Sequence, residues 1–226
     1  MKPLYNLLIL CFLILHSRPA YSQGVNEILR EYSEAIGGKE NFDSIKSYHQ
    51  SILILSDEGQ SRVESYFSKP FKFKYISQTE YSDTSSYYIY NGERLKSNRQ
   101  SFLSLRSNPF SKRIEEKRMG LLNNIFYREN VFILPNNHSE FNILKSIENE
   151  LESVFFFDKK TKLLVKEEIW KDGTLINEHE FINYKKFGPI FYPEIVRSTI
   201  LNFKLTLKTE EIDFNQIYED SFFENE

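Results

Sequence analysis

The feature that most limits the fold of this chain is an alternation of apolar and charged residues with a period of two. Phe71, Phe73 and Tyr75 alternate with Lys72 and Lys74. The spacing recurs near the end of the chain, where Phe203, Leu205 and Leu207 alternate with Lys204, Thr206 and Lys208. Because successive side chains point to opposite faces of a strand, each segment is predicted to be a β-strand with one apolar face. We expect Lys72 and Lys74 to face solvent.

Similar patterns predict strands along most of the chain. Residues 48–55 and 87–90 are predicted strands in the first half. Further strands are predicted over 141–147, 151–158, 162–171, 174–185, 192–201 and 203–213. Short turns separate them, including Asp57-Glu58-Gly59, Lys69-Pro70, Asn91-Gly92 and Asp172-Gly173. Since short hairpins join antiparallel neighbours, the sequence predicts a mainly β (α+β) domain with one long, curved sheet.

Two segments have the helical period instead. Apolar side chains in residues 25–36 fall at i, i+3, i+4, i+7, i+10 and i+11, and Gly37-Gly38 follows, where a helix C-cap favours glycine. Residues 111–125 repeat this spacing among basic and acidic side chains. We expect both helices to pack over one face of the sheet.

The first 22 residues have the pattern of a cleaved signal peptide. Lys2 precedes a twelve-residue apolar stretch, 4–15, and Ala20 and Ser22 are the small residues before a cleavage site. The alternative is a retained anchor, but twelve helical residues reach about 18 Å and the hydrocarbon core is about 30 Å thick. The prediction is an exported, soluble periplasmic protein with one domain, 23–226. Cys11 would leave with the leader, so no disulfide or thiolate chemistry is expected.

The chain is acidic, which bears on its partners. It carries 29 basic and 32 acidic residues, a net charge of −3, and loss of Lys2 and Arg18 with the leader would change this to −5. A negative net charge disfavours binding to nucleic acid, whose phosphates need basic partners. We expect a monomer.

Several segments, taken in order, match the pattern of a known family. They are the helix ending in Ala35-Ile36-Gly37-Gly38, residues 66–75 around Lys69-Pro70, Tyr88-Ile89-Tyr90-Asn91-Gly92, residues 157–164 and 184–193, and the closing Ile212-Asp213 and Phe222-Phe223. This order resembles the LolA-like periplasmic lipoprotein carriers. The resemblance implies an incomplete antiparallel β-barrel of about eleven strands, a half-barrel whose concave face is covered by helices.

The resemblance also implies a ligand and partners. Proteins of this family shuttle lipoproteins between membranes, which implies an apolar cavity for acyl chains and contacts with inner- and outer-membrane lipoprotein-transport factors. The family's functionally important basic residue lies beside the proline of the turn before the aromatic strand. Here that residue is Lys69, which implies a gating or head-group role. The family's best-known carriers have arginine there, and lysine lacks the forked hydrogen bonds of a guanidinium.

The alternating strands supply candidate residues for a lipid-binding cavity. Buried methylenes contribute about 0.8 kcal/mol each, and aromatic rings offer large apolar areas with few torsions to freeze. The predicted lining consists of Phe71, Phe73, Tyr75, Tyr88, Phe203, Leu205 and Leu207. The apolar stripe of the second helix is predicted to form a lid, with Met119, Leu122, Ile125 and Phe126. The alternative is that both sets form an ordinary core beneath the helices.

No segment has the spacing of a familiar catalytic or metal site. His49, His138 and His179 lack the pair spacing that a metal needs on a helix or in a tight turn. Glu178-His179-Glu180 is the best local candidate, but a strand directs His179 away from both glutamates. No catalytic residue, metal or cofactor is therefore predicted. The predicted function is non-enzymatic carriage of lipoprotein acyl chains or another amphipathic lipid; the alternatives are a cell-envelope sensor or partner-binding module and an envelope hydrolase.

Overall fold

The computed structural model describes residues 19–69, 72–80, 85–98, 125, 130–135, 140–148 and 150–224, with side chains from residue 24 onward. Two α-helices lie in the first part, α1 at Pro19–Ala35 and α2 at Lys39–Ser44. The predicted helix over 25–36 is confirmed, although it begins at Pro19 and ends one residue earlier. The helix predicted over 111–125 lies outside the described residues except for Ile125.

Within the described residues, twelve strands form one antiparallel sheet. They are β1 Ser47–Ser56, β2 Gly59–Ser68, β3 Lys72–Thr79, β4 Ser86–Tyr90, β5 Leu95–Ser97, β6 Val131–Ile133, β7 Phe141–Glu148, β8 Leu151–Asp158, β9 Leu164–Lys171, β10 Thr174–Phe187, β11 Ile190–Ile200 and β12 Phe203–Phe214. All six strands predicted after residue 140 are confirmed, with ends that move by up to two residues. The count exceeds the expected eleven by one.

The strand order is β5-β4-β3-β2-β1-β12-β11-β10-β9-β8-β7-β6. Every neighbouring pair is also consecutive in sequence except β1 and β12, which pair from Tyr48 opposite Phe214 to Ser56 opposite Leu205. The sheet does not close, because β5 and β6 remain as edges. It is therefore an open half-barrel, as the family resemblance implied.

We call the face that carries α1 the inner face and the opposite one the outer face. Tyr32 of α1 meets Phe157 of β8 edge to face, with ring centroids 5.2 Å apart. Both side chains are 1% exposed, and Leu144 and Ile190 beside them are fully buried. Each such side chain contributes about 1.5–3 kcal/mol through burial, so α1 is held mainly by this cluster. The Tyr184 hydroxyl lies beneath it and donates to the Leu164 carbonyl at 2.8 Å.

The end of α1 is joined directly to the sheet. The Ile36 carbonyl accepts a hydrogen bond from the Phe191 amide of β11 at 2.8 Å. Gly37 follows with φ 131°, and a Cβ at this position would lie 2.8 Å from the Pro189 carbonyl oxygen. A residue without a side chain is therefore required where the helix meets the β10–β11 turn.

The C-terminal segment packs on the outer face of β2 and β3. It includes a 3₁₀ helix at Asp220–Phe223, and the Phe222 ring lies 5.0 Å from Tyr66. The Lys74 ammonium lies 4.7 Å from the centroid of the Phe222 ring, and Lys74 is only 8% exposed. The expectation that Lys74 faces solvent is wrong: it lies on the outer face as expected, but the C-terminal segment covers it. Lys72 forms an ion pair with Asp220 beside it.

Candidate functional site: the inner face of the half-barrel

Three of the predicted lining residues form one aromatic wall on the inner face. Tyr75 and Tyr88 lie opposite each other on β3 and β4 and stack with centroids 4.7 Å apart. Phe73 meets the edge of Tyr88 at 5.1 Å and lies 5.7 Å from Tyr90. Phe73 is 9% exposed, whereas Tyr75 and Tyr88 are half-buried. The exposed ring area of the wall therefore comes from the two tyrosines.

Leu205 and Leu207 lie on the inner face too, but at a distance from that wall. Leu207 is opposite Ile54 of β1, and Leu205 is opposite Ser56. Three strand steps separate β12 from β3, about 14 Å at the usual spacing. Both leucines are half-buried, whereas Phe203 at the hairpin tip is 62% exposed. The candidates thus share one face without forming a single cluster.

The other candidates have different surroundings. Lys69 is exposed in the β2–β3 turn, and its ammonium donates to the Asp43 carbonyl of α2 at 3.1 Å. Ile125 is 1% exposed and belongs to the core cluster with α1. Phe71, Met119, Leu122 and Phe126 lie outside the described residues. The gating role of Lys69 and the lid remain predictions.

Sequence reasoning did not select several apolar residues of the inner face. Val196 lies opposite Leu207 and Phe181 opposite Val196, so a half-buried apolar row runs from Phe181 through Val196 and Leu207 to Ile54. Ile54 escaped selection because its strand carries apolar residues on both faces, Ile52 and Ile54 on one and Leu53 and Leu55 on the other. A period-two pattern cannot choose a face when both are apolar. We call this set of residues the apolar row.

A polar row runs parallel to the apolar row, two residues along each strand, or about 7 Å away. Its members are Glu167, His179 and Ser198, which lie opposite one another on β9, β10 and β11. The His179 Nδ1 and Ser198 Oγ atoms are 2.8 Å apart. Burial lowers the pKa of His179, and the nearby Glu178 opposes this shift. His179 is therefore held toward its neutral form on the inner face.

The rest of the Glu178-His179-Glu180 motif lies on the outer face. The Glu178 carboxylate forms an ion pair with Lys166 at 2.6 Å, and Glu180 lies 4.0 Å from Arg197. The prediction that His179 points away from both glutamates is confirmed.

The arrangement around His179 and Ser198 does not resemble a familiar nucleophilic site. Ser198 lies within β11 and pairs on both sides, with His179 of β10 and Leu205 of β12. The surrounding amides are used in the sheet, whereas acyl transfer needs free amides directed at the developing oxyanion. Among the described residues, one group has metal-ligand character, His49 with Glu211 and Asp213, and it lies on the outer face. The inner face thus combines a half-buried apolar row with the hydrogen-bonded pair of His179 and Ser198.

Comparison by sequence finds no matching protein-family model and no matching curated protein. None of the helices among the described residues has the length and apolar character needed to cross a membrane.

Comparison by structure finds clear matches. A DUF1329 family protein from Desulfovibrio piger aligns with a TM-score of 0.50 and 11% identity, over 90% of this chain and 96% of that one. A LolA superfamily protein from Nitrosomonas europaea aligns with a TM-score of 0.53 and 13% identity, over 85% of this chain and 96% of that one. These alignments span nearly the whole of both solved structures. The chain therefore has a LolA-like fold, in a divergent form that shares little sequence with the solved structures.

Proposed function

We propose that this protein is an exported, non-enzymatic binding protein that holds the acyl chains of a lipoprotein, or another amphipathic lipid, on its inner face. One observation carries the proposal: the apolar row and the two stacked tyrosines remain half-buried although α1 already covers part of the same face. A face that served only as core would bury these side chains fully, as it buries Phe155 and Leu144 near α1.

The energetics of a carrier fit a surface of this kind. Each methylene withdrawn from water contributes about 0.8 kcal/mol, yet a membrane offers the same benefit to a released chain. A half-open apolar face can bind an acyl chain without enclosing it completely. Return to a membrane then needs no large rearrangement of the sheet.

The parallel polar row supports a ligand with a polar group. His179 is half-buried, and together with Ser198 it offers hydrogen-bonding atoms about 7 Å from the apolar row. The polar head group of a ligand can lie against this polar row while its hydrocarbon part lies on the apolar row. An amphipathic lipid therefore fits the two rows better than a pure hydrocarbon does.

The test begins with protein purified without detergent from a host with membranes. Solvent extraction and mass spectrometry should recover acyl lipid in stoichiometric amount from the wild-type chain. Ile54→Asp should lower this amount at least about ten-fold, because a carboxylate in the apolar row would have to be desolvated by the ligand. The matched control is Leu55→Asp, whose side chain lies on the outer face and is 40% exposed. It should retain lipid within about two-fold of wild type, since its side chain stays in water.

Two results would contradict the proposal. One is wild-type protein that is free of lipid and does not take up a fluorescent fatty acid, which would favour a partner-binding module with a packed interior. The other is equal lipid content in Ile54→Asp and Leu55→Asp. Circular dichroism of both variants separates loss of binding from loss of fold. Hydrolysis of an acyl ester that disappears in His179→Ala would favour the envelope hydrolase instead.

A further inference from the structure

The outer face carries a group of ligand-type side chains that the lipid-binding proposal does not use. His49 of β1 lies opposite Asp213 of β12, and the next outward residue of β1, Ser51, lies opposite Glu211. Across β2, Ser51 lies opposite Glu64. One imidazole nitrogen of His49 and one carboxylate oxygen each from Glu211 and Asp213 lie within 4.8 Å of one another. We call His49, Glu64, Glu211 and Asp213 the outer cluster.

The imidazole of His49 is held in one orientation by Glu64. Its Nε2 atom lies 2.6 Å from Oε2 of Glu64, and the other oxygen of Glu64 accepts a hydrogen bond from the Ser51 hydroxyl at 2.9 Å. Because a carboxylate oxygen accepts hydrogen bonds, we assign the N–H to Nε2, and the lone pair of the neutral imidazole then lies on Nδ1. A metal-bound histidine commonly has this arrangement, in which a carboxylate holds the distal N–H and orients the ring.

The remaining nitrogen, Nδ1, faces the carboxylate of Asp213 across a gap. Nδ1 lies 3.8 Å from Oδ2 of Asp213, which is too far for a hydrogen bond. Two ligand atoms about 2.0–2.1 Å from a tetrahedral zinc ion are about 3.3 Å apart. The gap in the outer cluster is therefore slightly wider than the one a bound ion would impose. Glu211 is exposed, so its side chain can move toward the ion.

The charge around the outer cluster also favours a cation. The outer cluster contains three carboxylates and one imidazole. The guanidinium of the nearby Arg62 forms its ion pair with a different carboxylate, that of Glu210, at 2.9 Å. Lys74, on the same face, is directed to the ring of Phe222. A dication would therefore reduce the repulsion among the carboxylates.

Aromatic side chains shield one side of this group. Tyr66 stacks on the His49 ring with centroids 4.6 Å apart, and the Tyr218 ring meets the edge of Tyr66 at 6.0 Å. The Tyr218 hydroxyl is buried and has no hydrogen-bond partner in the described part of the chain. The Tyr66 ring thus covers one face of the His49 imidazole.

We propose that Nδ1 of His49 and the carboxylates of Glu211 and Asp213 bind a divalent transition-metal ion of the zinc type, with Glu64 as a positioning residue. One nitrogen and two oxygen ligands suit zinc better than magnesium or calcium, which prefer oxygen alone. Three protein ligands leave a fourth position for water. The site is independent of lipid binding, because it lies on the opposite face of the sheet.

Calorimetric titration of chelator-treated protein with zinc chloride tests this assignment. The wild-type chain should bind one zinc ion, and Co²⁺ at the same site should give the intense visible absorption of a four-coordinate ion. His49→Ala and Glu211→Gln should each weaken zinc binding by about 100-fold, and Glu64→Gln by about 10–100-fold. The control is His179→Ala, which removes an imidazole from the inner face and should bind zinc as wild type does.

The proposal is overturned if wild-type protein binds zinc no more tightly than His49→Ala, or if His179→Ala loses binding to the same extent. In the first case His49 acts only as an ion-pair partner of Glu64 and Asp213. Because Glu211 is exposed, Glu211→Gln keeps the test decisive even if His49→Ala does not fold. Thermal unfolding of each variant without zinc identifies any change in the fold.

Discussion

Replacing Phe157 by alanine is expected to lower the free energy of unfolding by about 3–5 kcal/mol. Phe157 is 1% exposed, and its ring packs against Tyr32 of α1 at a centroid distance of 5.2 Å. The substitution would leave a cavity between the helix and β8, and the rigid sheet could close it only in part. Urea unfolding followed by circular dichroism measures the loss.

The preceding residue supplies the control. Phe156 points to the outer face and is half-buried there. Its ring centroid lies 6.3 Å from that of Phe141 and 5.6 Å from the Lys166 ammonium. Phe156→Ala should cost about 1–2 kcal/mol, because less apolar area returns to water and no closed cavity forms. Equal losses for the two variants would contradict the assignment of Phe157 to the contact between α1 and the sheet.

Replacing Gly37 by alanine is expected to lower the free energy of unfolding by about 3–5 kcal/mol, the sum of backbone strain and a steric clash. Its φ of 131° lies in a region that residues with a side chain rarely adopt. The new Cβ would also lie 2.8 Å from the Pro189 carbonyl oxygen, a main-chain atom that cannot rotate away. Thermal and urea unfolding should both report the change.

Gly38 is the matched control for this substitution. It also has a positive φ, 84°, but a Cβ there would meet nothing within 4 Å. Gly38→Ala should therefore show the strain alone, about 1–3 kcal/mol. If Gly38→Ala were as destabilising as Gly37→Ala, the steric clash with the β10–β11 turn would not explain the requirement for glycine at position 37.

The strands were predictable because their signals are local. The stretch from Phe141 to Phe214 alternates within each strand and turns at residues such as Asp172-Gly173, so the sequence predicts the meander almost residue by residue. The turn after β4 lies at Asn91-Gly92 as predicted, but it is longer than a two-residue hairpin. The Asn91 side-chain oxygen accepts hydrogen bonds from the amides of Glu93 and Arg94, which stabilises a four-residue connection.

Cross-strand neighbours and covering segments were not predictable in the same way. The outer cluster joins His49 with Asp213, whose pairing depends on the register of the first strand against the last. A search for metal ligands by spacing along a helix or a tight turn cannot find such a pair. Similarly, alternation assigned Lys74 to the correct face, but Phe222 covers it from a distant part of the chain.

The pairing of β1 with β12 also determines when the complete inner face can form during folding. Each half of the sheet is a meander with contacts between strands adjacent in sequence, whereas this single seam joins residues from opposite ends of the chain. Nonlocal pairings of this kind raise contact order and slow folding. Ile54 and Leu207 face each other across the seam, so the apolar row is continuous only after the last strand has docked. A chain whose last strand has not yet docked would therefore have two separate half-sheets and an interrupted apolar row.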